Sequence, residues 1–287
     1  MTADSMNFSD TFFSKLWAQY IQVAPQAAKI QTLLAKPGKP VINDHVAFRT
    51  FNLEPINIES IQAWLFELGY EPLDDYVFEE KKLQAKSYIK KDSAQDLQDY
   101  SPLIFLSELE VNKFSIPAQN IIKKLVGEID TSKLGGSEFF FSGSLWPSPG
   151  QDEYKTLLAE SEYAAWLSVM GMRANHFTVL VNALEEFNSL AKLLSFLEKE
   201  GYTINDSGGK IKGTPDVLLE QGSTMADMQA YEFSDGHIEN LPTCFYEFAL
   251  RYKDKSEKLY QGFVAANADK IFESTHKGTS KNALFPR

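Results

Sequence analysis

The stretch Asn43–Thr50, NDHVAFRT, decides the fold because its side chains alternate in character along the chain. Side chains of a β-strand point to opposite faces in turn, so His45 and Arg49 share one face while Val46 and Phe48 share the other. An unpaired charge in an apolar core costs several kcal/mol. The polar face therefore indicates a cavity, and the apolar face indicates packing against another layer.

Two later stretches repeat this arrangement. In Arg173–Asn182, alternation places His176 on the polar face. In Thr243–Tyr252, Glu247 and Arg251 share a face, and the opposite face is a row of apolar side chains. Three strands with apolar backs and polar fronts predict a curved sheet whose concave side is a site. Its most reactive groups are two histidines and one glutamate.

Composition limits the classes of protein that fit. A chain of 287 residues with 44% hydrophobic and 23% charged residues can bury a sizeable core as one large domain or two smaller ones. The net charge of -11 and a pI near 5.0 argue against a nucleic-acid surface, because phosphate binding requires clustered Lys and Arg. Neither nucleic acid nor another protein is predicted as a partner.

The location follows from the cysteine content and the absence of apolar runs. Cys244 is the only cysteine, which excludes an intrachain disulfide and cysteine-rich metal frameworks and fits a reducing compartment. The start of the chain, Met1–Ser5, lacks the basic and apolar regions of a signal peptide. No apolar run approaches the ~20 residues that span a bilayer. We expect a cytoplasmic protein with no membrane association.

The order of predicted elements is β-α-β-β-β, an insert, and then β-α-β-β-β again. We therefore predict a single α+β domain in which paired βαβββ modules form a curved sheet around a metal site. Its parts are an N-terminal helical layer over 1–40, a first module over 41–112, a helical insert over 113–171, a second module over 172–255, and a polar tail over 256–287.

Several local predictions are specific enough to be checked. The pattern predicts one long helix over 152–170 and another over 183–200, the latter closed by Gly201. It also predicts a strand over 202–205 and a short helix within 259–272. Residues 221–227 are expected to form a loop between strands, and His237 is expected in an exposed turn.

Two imidazoles and one carboxylate on neighbouring strands form a facial triad, which leaves three positions of an octahedral ion open. The predicted ligands are His45, His176 and Glu247. This geometry suits Fe(II), although Mn(II), Ni(II) or Co(II) can take the same ligands, and zinc normally prefers a tetrahedron. The alternatives are hydrogen-bonded structural histidines, His237 as a ligand, and, less favoured, His276 in the polar tail.

Other polar residues of the same stretches are candidates for substrate binding. Arg49 suits the far carboxylate of a diacid, which a guanidinium holds by two parallel hydrogen bonds, or else it forms a salt bridge to an inward-facing carboxylate. The side chains of Gln221, Ser223 and Thr224 can bond a substrate carboxylate near the metal, unless the segment is a plain turn. Arg251 is expected to be structural.

Four segments in order carry a resemblance to a known family. They are DHVAFRT at 44–50, NHFT at 175–178, QGSTMAD at 221–227 and YEFALR at 246–251. With these motifs the chain resembles the 2-oxoadipate dioxygenase/decarboxylase family, also called hydroxyglutarate synthases. The resemblance implies a vicinal-oxygen-chelate fold, the metal ligands His45, His176 and Glu247, and Arg49 as the essential substrate-binding arginine.

The activity implied by the resemblance is an Fe(II)-dependent one. A 2-oxo diacid such as 2-oxoadipate reacts with O2, loses CO2 and becomes a 2-hydroxy acid such as 2-hydroxyglutarate. Two other classes stay open from the residues alone. One is an O2-independent metal-dependent lyase, isomerase or hydrolase on the same scaffold, and the other is a non-catalytic protein that binds a small diacid.

Overall fold

The computed structural model of the protein describes residues 8–90 and 100–275. Its centre is an eight-stranded sheet in the order β2-β3-β4-β1-β5-β10-β7-β6, and β8 and β9 form a separate hairpin. The strands are β1 (Asn43–Phe51), β2 (Tyr70–Phe78), β3 (Leu83–Lys90), β4 (Leu103–Leu109), β5 (Ala174–Leu180), β6 (Lys212–Thr214), β7 (Leu219–Ser223), β8 (Met228–Glu232), β9 (Ile238–Pro242) and β10 (Phe245–Arg251).

The sheet consists of two equivalent halves that meet at β1 and β5. In the first half β1 is parallel to β4, and in the second half β5 is parallel to β10. The two first strands, β1 and β5, pair antiparallel at the junction. This symmetry confirms the paired modules and the α+β class predicted from the repeated element order.

Eight α-helices flank the sheet in the described part of the chain. They are α1 (Phe8–Val23), α2 (Pro25–Leu34), α3 (Ile58–Glu67), α4 (Ile116–Gly127), α5 (Gln151–Leu158), α6 (Glu162–Met170), α7 (Leu190–Lys199) and α8 (Ala265–Ile271), and a 3-10 helix, Phe272–Thr275, follows α8. None of the helices described over 8–90 and 100–275 is long and apolar enough to cross a membrane.

The apolar faces of the central strands pack against the N-terminal helices. On α1, the Trp17 ring lies 5.0 Å from Phe177 of β5 and 5.7 Å from Tyr246 of β10, measured between ring centroids. Tyr20 lies 4.9 Å from Phe177 by the same measure. The alternation of apolar residues predicted for these strands therefore identifies the correct packing face, and the other face is free to form the site.

The structure differs from four local predictions. The helix predicted over 152–170 is two helices, because the Ser161 side chain accepts a hydrogen bond from the Ala164 amide and caps a new start. The helix predicted over 183–200 begins at Leu190, capped in the same way by Ser189. The segment 202–205 contributes only an isolated bridge at Ile204. Residues 221–223 belong to β7 rather than to a loop.

The described portion of the segment predicted as a polar tail contains regular secondary structure. It contains α8 and the following 3-10 helix, and Phe263 and Ile271 are buried. The remainder, including the candidate ligand His276, lies outside the described residues, as do residues 1–7 and 91–99.

Candidate metal centre

The strand register at the junction brings the three predicted ligands together. Thr178 of β5 pairs with His45 of β1 on one side and with Glu247 of β10 on the other. His176 precedes Thr178 by two residues and therefore projects from the same face. Ligand atoms of His45, His176 and Glu247 all lie within 4.8 Å of one another, and all three residues are buried.

Each histidine of the cluster is oriented by the residue that precedes it. Nδ1 of His45 lies 2.7 Å from Oδ1 of Asp44, and Nδ1 of His176 lies 3.1 Å from Oδ1 of Asn175. With an oxygen against Nδ1, that nitrogen carries the proton and Nε2 offers its lone pair. Metal-ligating histidines are held in this manner by a carboxylate or amide oxygen on the far nitrogen.

The two Nε2 atoms face the Glu247 carboxylate. Nε2 of His176 lies 3.0 Å from Oε2, and Nε2 of His45 lies 3.7 Å from Oε1. The Gln221 side chain donates to Oε1 at 2.7 Å. Oε2 of Glu247 accepts no hydrogen bond from any residue that the structure describes. A buried carboxylate oxygen without a donor, set between two imidazole nitrogens, fits a cation.

The protonation states also fit a cation. Burial lowers the pKa of His176 below its ordinary value, and the neighbouring Glu247 only partly opposes this. Burial alone would raise the pKa of Glu247, but the nearby His176 and His45 lower it below its ordinary value. A neutral imidazole and an ionised carboxylate are the forms that bind a metal.

Arg251 supports the cluster from behind. Its Nε donates to Oδ2 of Asp44 at 2.6 Å and its Nη2 donates to Oδ1 at 2.8 Å, with both side chains fully buried. Burial alone would raise the pKa of Asp44, but the charge of Arg251 lowers it to about 2. Arg251 is therefore structural, as expected: it keeps Asp44 ionised against His45.

Arg49 lies further along β1 and lines a cavity of about 280 Å³, which is separate from the small cavity at the ligand cluster. Its guanidinium carbon sits 5.0 Å from the Tyr163 ring centre, 4.9 Å from that of Trp166 and 5.6 Å from that of Phe272. Nη2 donates to the hydroxyl of Thr275 at 3.2 Å. Burial lowers the pKa of Arg49 to about 10, so it remains a cation at neutral pH.

Two nitrogens of the Arg49 guanidinium can still donate hydrogen bonds. Within 8–90 and 100–275, Nε and Nη1 are buried and have no hydrogen-bond partner. None of the ion pairs of these residues includes Arg49, so the alternative of a structural salt bridge is not observed. A buried, desolvated guanidinium with two free donors is suited to an incoming carboxylate.

The remaining candidates occupy different environments. Gln221 bonds the cluster itself, whereas the Ser223 hydroxyl lies 2.8 Å from that of Ser274. The Thr224 hydroxyl accepts from the Tyr246 amide at 3.1 Å, so it supports the main chain and does not line the cavity at the cluster. His237 is exposed and lies 3.1 Å from Asp235, away from the two histidines of the cluster, as expected for a turn.

Sequence reasoning missed Asp44, Asn175 and the residues that cover the cluster. Phe263 lies 4.8 Å from the His45 ring, and Phe272 and Ile271 also line the cavity beside the ligands. The first two had a visible signal, because each histidine follows an Asp or Asn in both modules. No comparable sequence signal marked the residues that cover the cluster, since the segment 260–275 is short and of mixed composition.

The paired modules, with a buried His-His-Glu cluster at their junction, define a protein of the vicinal-oxygen-chelate, or glyoxalase-like, fold class. A Ralstonia eutropha JMP134 protein provisionally assigned to the glyoxalase superfamily shares this fold, with a TM-score of 0.70 and 22% identity over 90% of this chain and 86% of that one.

Within this class the chain belongs to the 2-oxoadipate dioxygenase/decarboxylase family, whose family model matches residues 13–133 and 138–253. It is 36% identical to the chloroplastic 2-oxoadipate dioxygenase/decarboxylase of Arabidopsis thaliana, over 93% of this chain and 78% of that protein.

Two solved structures are similar over most of their length. The hydroxyglutarate synthase of Oryza sativa in complex with 2-oxoadipate has a TM-score of 0.86 and 32% identity, covering 96% of each chain. A protein of Shewanella frigidimarina NCIMB 400, provisionally named a hydrolase, has a TM-score of 0.83 and 43% identity over 91% of this chain and 99% of that one. The resemblance inferred from the four motifs is thus confirmed.

Proposed function

We propose that the protein is an Fe(II)-dependent dioxygenase/decarboxylase that converts a 2-oxo diacid of the 2-oxoadipate type and O2 into a 2-hydroxy acid of the 2-hydroxyglutarate type and CO2. The reaction balances, because the original carboxyl group leaves as CO2, one oxygen atom of O2 completes the new carboxylate at the former 2-oxo carbon, and the other enters the new hydroxyl group. The observation that carries the proposal is the buried cluster of His45, His176 and Glu247 in a chain of this family.

The donor set favours iron over the other divalent ions. His45, His176 and Glu247 would hold the ion through two imidazole nitrogens and one carboxylate oxygen, the set typical of non-haem Fe(II) oxygenases. When bound, Fe(II) would supply adjacent open positions at which a 2-oxo acid chelates and O2 is activated. Thr178, whose hydroxyl lies 3.1 Å from Nε2 of His45, would release that nitrogen to the ion.

The role of Arg49 is to hold the far carboxylate of the substrate. Nη2 uses one of its two hydrogens to bond Thr275, so its other hydrogen, together with one from the free Nε or Nη1, can form two parallel hydrogen bonds with a carboxylate, while the rings of Tyr163 and Trp166 pack against the guanidinium. Its charge is close enough to the cluster to lower the pKa of His176. A diacid anchored here has one defined orientation of its reactive end, which is the main contribution of such a clamp to rate.

Aromatic side chains keep water from the reacting end. Phe105, Phe263 and Phe272 line the cavity at the cluster, whose volume of about 20 Å³ corresponds to roughly one water molecule. Phe272 also lines the larger cavity at Arg49. Because Phe272 borders both cavities, a six-carbon diacid that reaches from the cluster to Arg49 would have to pass this ring, and its binding would leave little room for water at the reacting end.

The test is a simultaneous measurement of O2 uptake and CO2 release by Fe(II)-reconstituted protein with a panel of 2-oxo acids. We expect a ratio of one to one, with 2-oxoadipate or a close analogue as the best substrate, and no turnover by Glu247→Ala. CO2 release without O2 uptake would overturn the proposal in favour of a lyase. Tight diacid binding without any turnover would overturn it in favour of a binding protein.

A further inference from the structure

The segment Tyr260–Thr275, here termed the closing segment, completes the walls of the cluster. It lies beyond the last residue matched by the family model, which is 253. Its helix α8 contacts β2 of the first module and both β6 and β7 of the second, so it spans the open side of the curved sheet. Main-chain oxygens of Tyr260 and Gly262 accept hydrogen bonds from Arg251 at 2.8 and 2.9 Å.

Asn267 of the closing segment is connected to the cluster by hydrogen bonds through one other side chain, that of Gln221. Nδ2 of Asn267 donates to Oε1 of Gln221 at 3.1 Å, and Nε2 of Gln221 donates to Oε1 of Glu247 at 2.7 Å. All three side chains are buried. The chain of donors therefore runs from α8 to the carboxylate that faces both histidines.

The sheet is shaped to receive Asn267. Gly213 of β6 has a φ of +86°, and a Cβ at that position would lie 2.4 Å from Nδ2 of Asn267 and 2.1 Å from the Leu219 carbonyl oxygen. That same oxygen lies 3.4 Å from Nδ2 of Asn267. Only glycine leaves room for this amide at this place, so the main chain of β6 packs directly against the Asn267 side chain.

We infer that Asn267 is a positioning residue for the metal-binding carboxylate. A glutamine amide can rotate by half a turn and exchange its donor for its acceptor. Because Asn267 donates to Oε1 of Gln221, the NH2 group of Gln221 must face Glu247. It then engages Oε1 of Glu247 and leaves Oε2 for the ion. The inference rests on the proposed function only in taking the cluster as a metal site.

A neighbouring residue provides a matched control. Asn205 also anchors the closing segment, through Nδ2 to the Lys270 carbonyl oxygen at 3.1 Å and to the Ser274 hydroxyl at 2.8 Å. It is buried like Asn267, and within the described part of the chain it forms no hydrogen bond with Gln221 or Glu247. Asn205→Ala therefore loosens the same segment without removing the donor that orients Gln221.

The experiment measures Co(II) affinity by calorimetry and the Co(II) visible absorption spectrum on full-length protein. We expect Asn267→Ala to weaken binding about tenfold or more and to alter the spectrum, the usual effect of losing a residue that orients a ligand. Asn205→Ala is expected to stay within about threefold of the unchanged protein. In a Gln221→Ala background, Asn267→Ala should add no further loss.

A second variant protects the test against a packing defect. Asn267→Asp keeps the shape of the side chain, but its ionised carboxylate cannot donate to Gln221, so it should weaken Co(II) binding even though it adds a negative charge. Urea unfolding of the metal-free variants checks that each is folded. Any of three outcomes would overturn the inference. The first is an unchanged Co(II) affinity in both Asn267 variants, and the second is an equal loss of Co(II) affinity in Asn267→Ala and Asn205→Ala. The third is a further loss of Co(II) affinity when Asn267→Ala is added to Gln221→Ala.

The readout separates this inference from the proposed reaction. Co(II) binding needs neither O2 nor substrate. Protein that binds Co(II) at the cluster but does not couple O2 uptake to CO2 release would refute the reaction and leave the role of Asn267 standing. Protein that binds no Co(II) would refute both.

Discussion

Replacing Asp44 with Asn tests the buried ion pair on which the site is built. Asp44 and Arg251 are fully buried and joined by hydrogen bonds of 2.6 and 2.8 Å. The substitution leaves the Arg251 charge in the interior without a counter-ion. Breaking a buried pair in this way costs about 3–5 kcal/mol.

The lowered pKa of Asp44 reflects the same interaction. Its depression from 3.8 to about 2 means that the fold favours the ionised form by about 2 kcal/mol, even after the cost of burying the carboxylate. The free energy of unfolding lost in Asp44→Asn should exceed this figure, because Arg251 stays buried and charged. A free energy of unfolding of about 5–15 kcal/mol can absorb such a loss, so the variant should still fold.

The assay is urea unfolding at pH 7 followed by tryptophan fluorescence. With a slope of about 3 kcal/mol per molar urea, the midpoint of Asp44→Asn should fall by about 1–1.7 M. The control is Glu198→Gln, which removes a surface pair with Lys210 at 2.6 Å and should leave the midpoint unchanged. Adding Arg251→Met to Asp44→Asn should recover part of the loss, since the unpaired charge is then gone. A midpoint of Asp44→Asn equal to that of the control would refute the reasoning.

Three further predictions concern the ligands, the clamp and acid stability. Alanine at His45, His176 or Glu247 should abolish stoichiometric metal binding while the metal-free protein stays folded; full occupancy of any variant by native mass spectrometry would contradict the assignment. Arg49→Ala should raise KM for 2-oxo diacids at least tenfold more than for 2-oxo monoacids of equal length, and equal losses in steady-state kinetics would contradict the clamp. Because the folded-state pKa of Asp44 is depressed, its contribution of about 2 kcal/mol to the free energy of unfolding is present above pH 4 and lost as the pH falls towards 2. Over this pH range the urea midpoint of Asp44→Asn should therefore fall less steeply than that of the unchanged protein. Parallel curves for the two proteins would count against the pKa depression.

The alternation of side chains was sufficient to predict the faces of the central strands. A strand has a period of two, so the placement of His45, His176 and Glu247 on one face follows directly from the sequence. The repeated element order also predicted the two modules. It could not supply the antiparallel pairing of β1 with β5, which sets the distance between the histidines.

The errors have two physical causes. Helix boundaries at Ser161 and Ser189 depend on serine caps, a local signal that the long apolar pattern obscured. The supports of the site depend on contacts between distant parts of the chain. Arg251 bonds Asp44 across 207 positions and Asn267 bonds Gln221 across 46, and no local pattern encodes such pairs.

The central claim is that one Fe(II) ion binds between the two modules. Its most direct test is anomalous diffraction at the iron edge from crystals loaded with Fe(II) under anaerobic conditions. The account predicts a single strong peak about 2.0–2.3 Å from Nε2 of His45, Nε2 of His176 and an oxygen of Glu247. A fully loaded crystal whose iron peak lies elsewhere, or that shows no peak at the cluster, would contradict it.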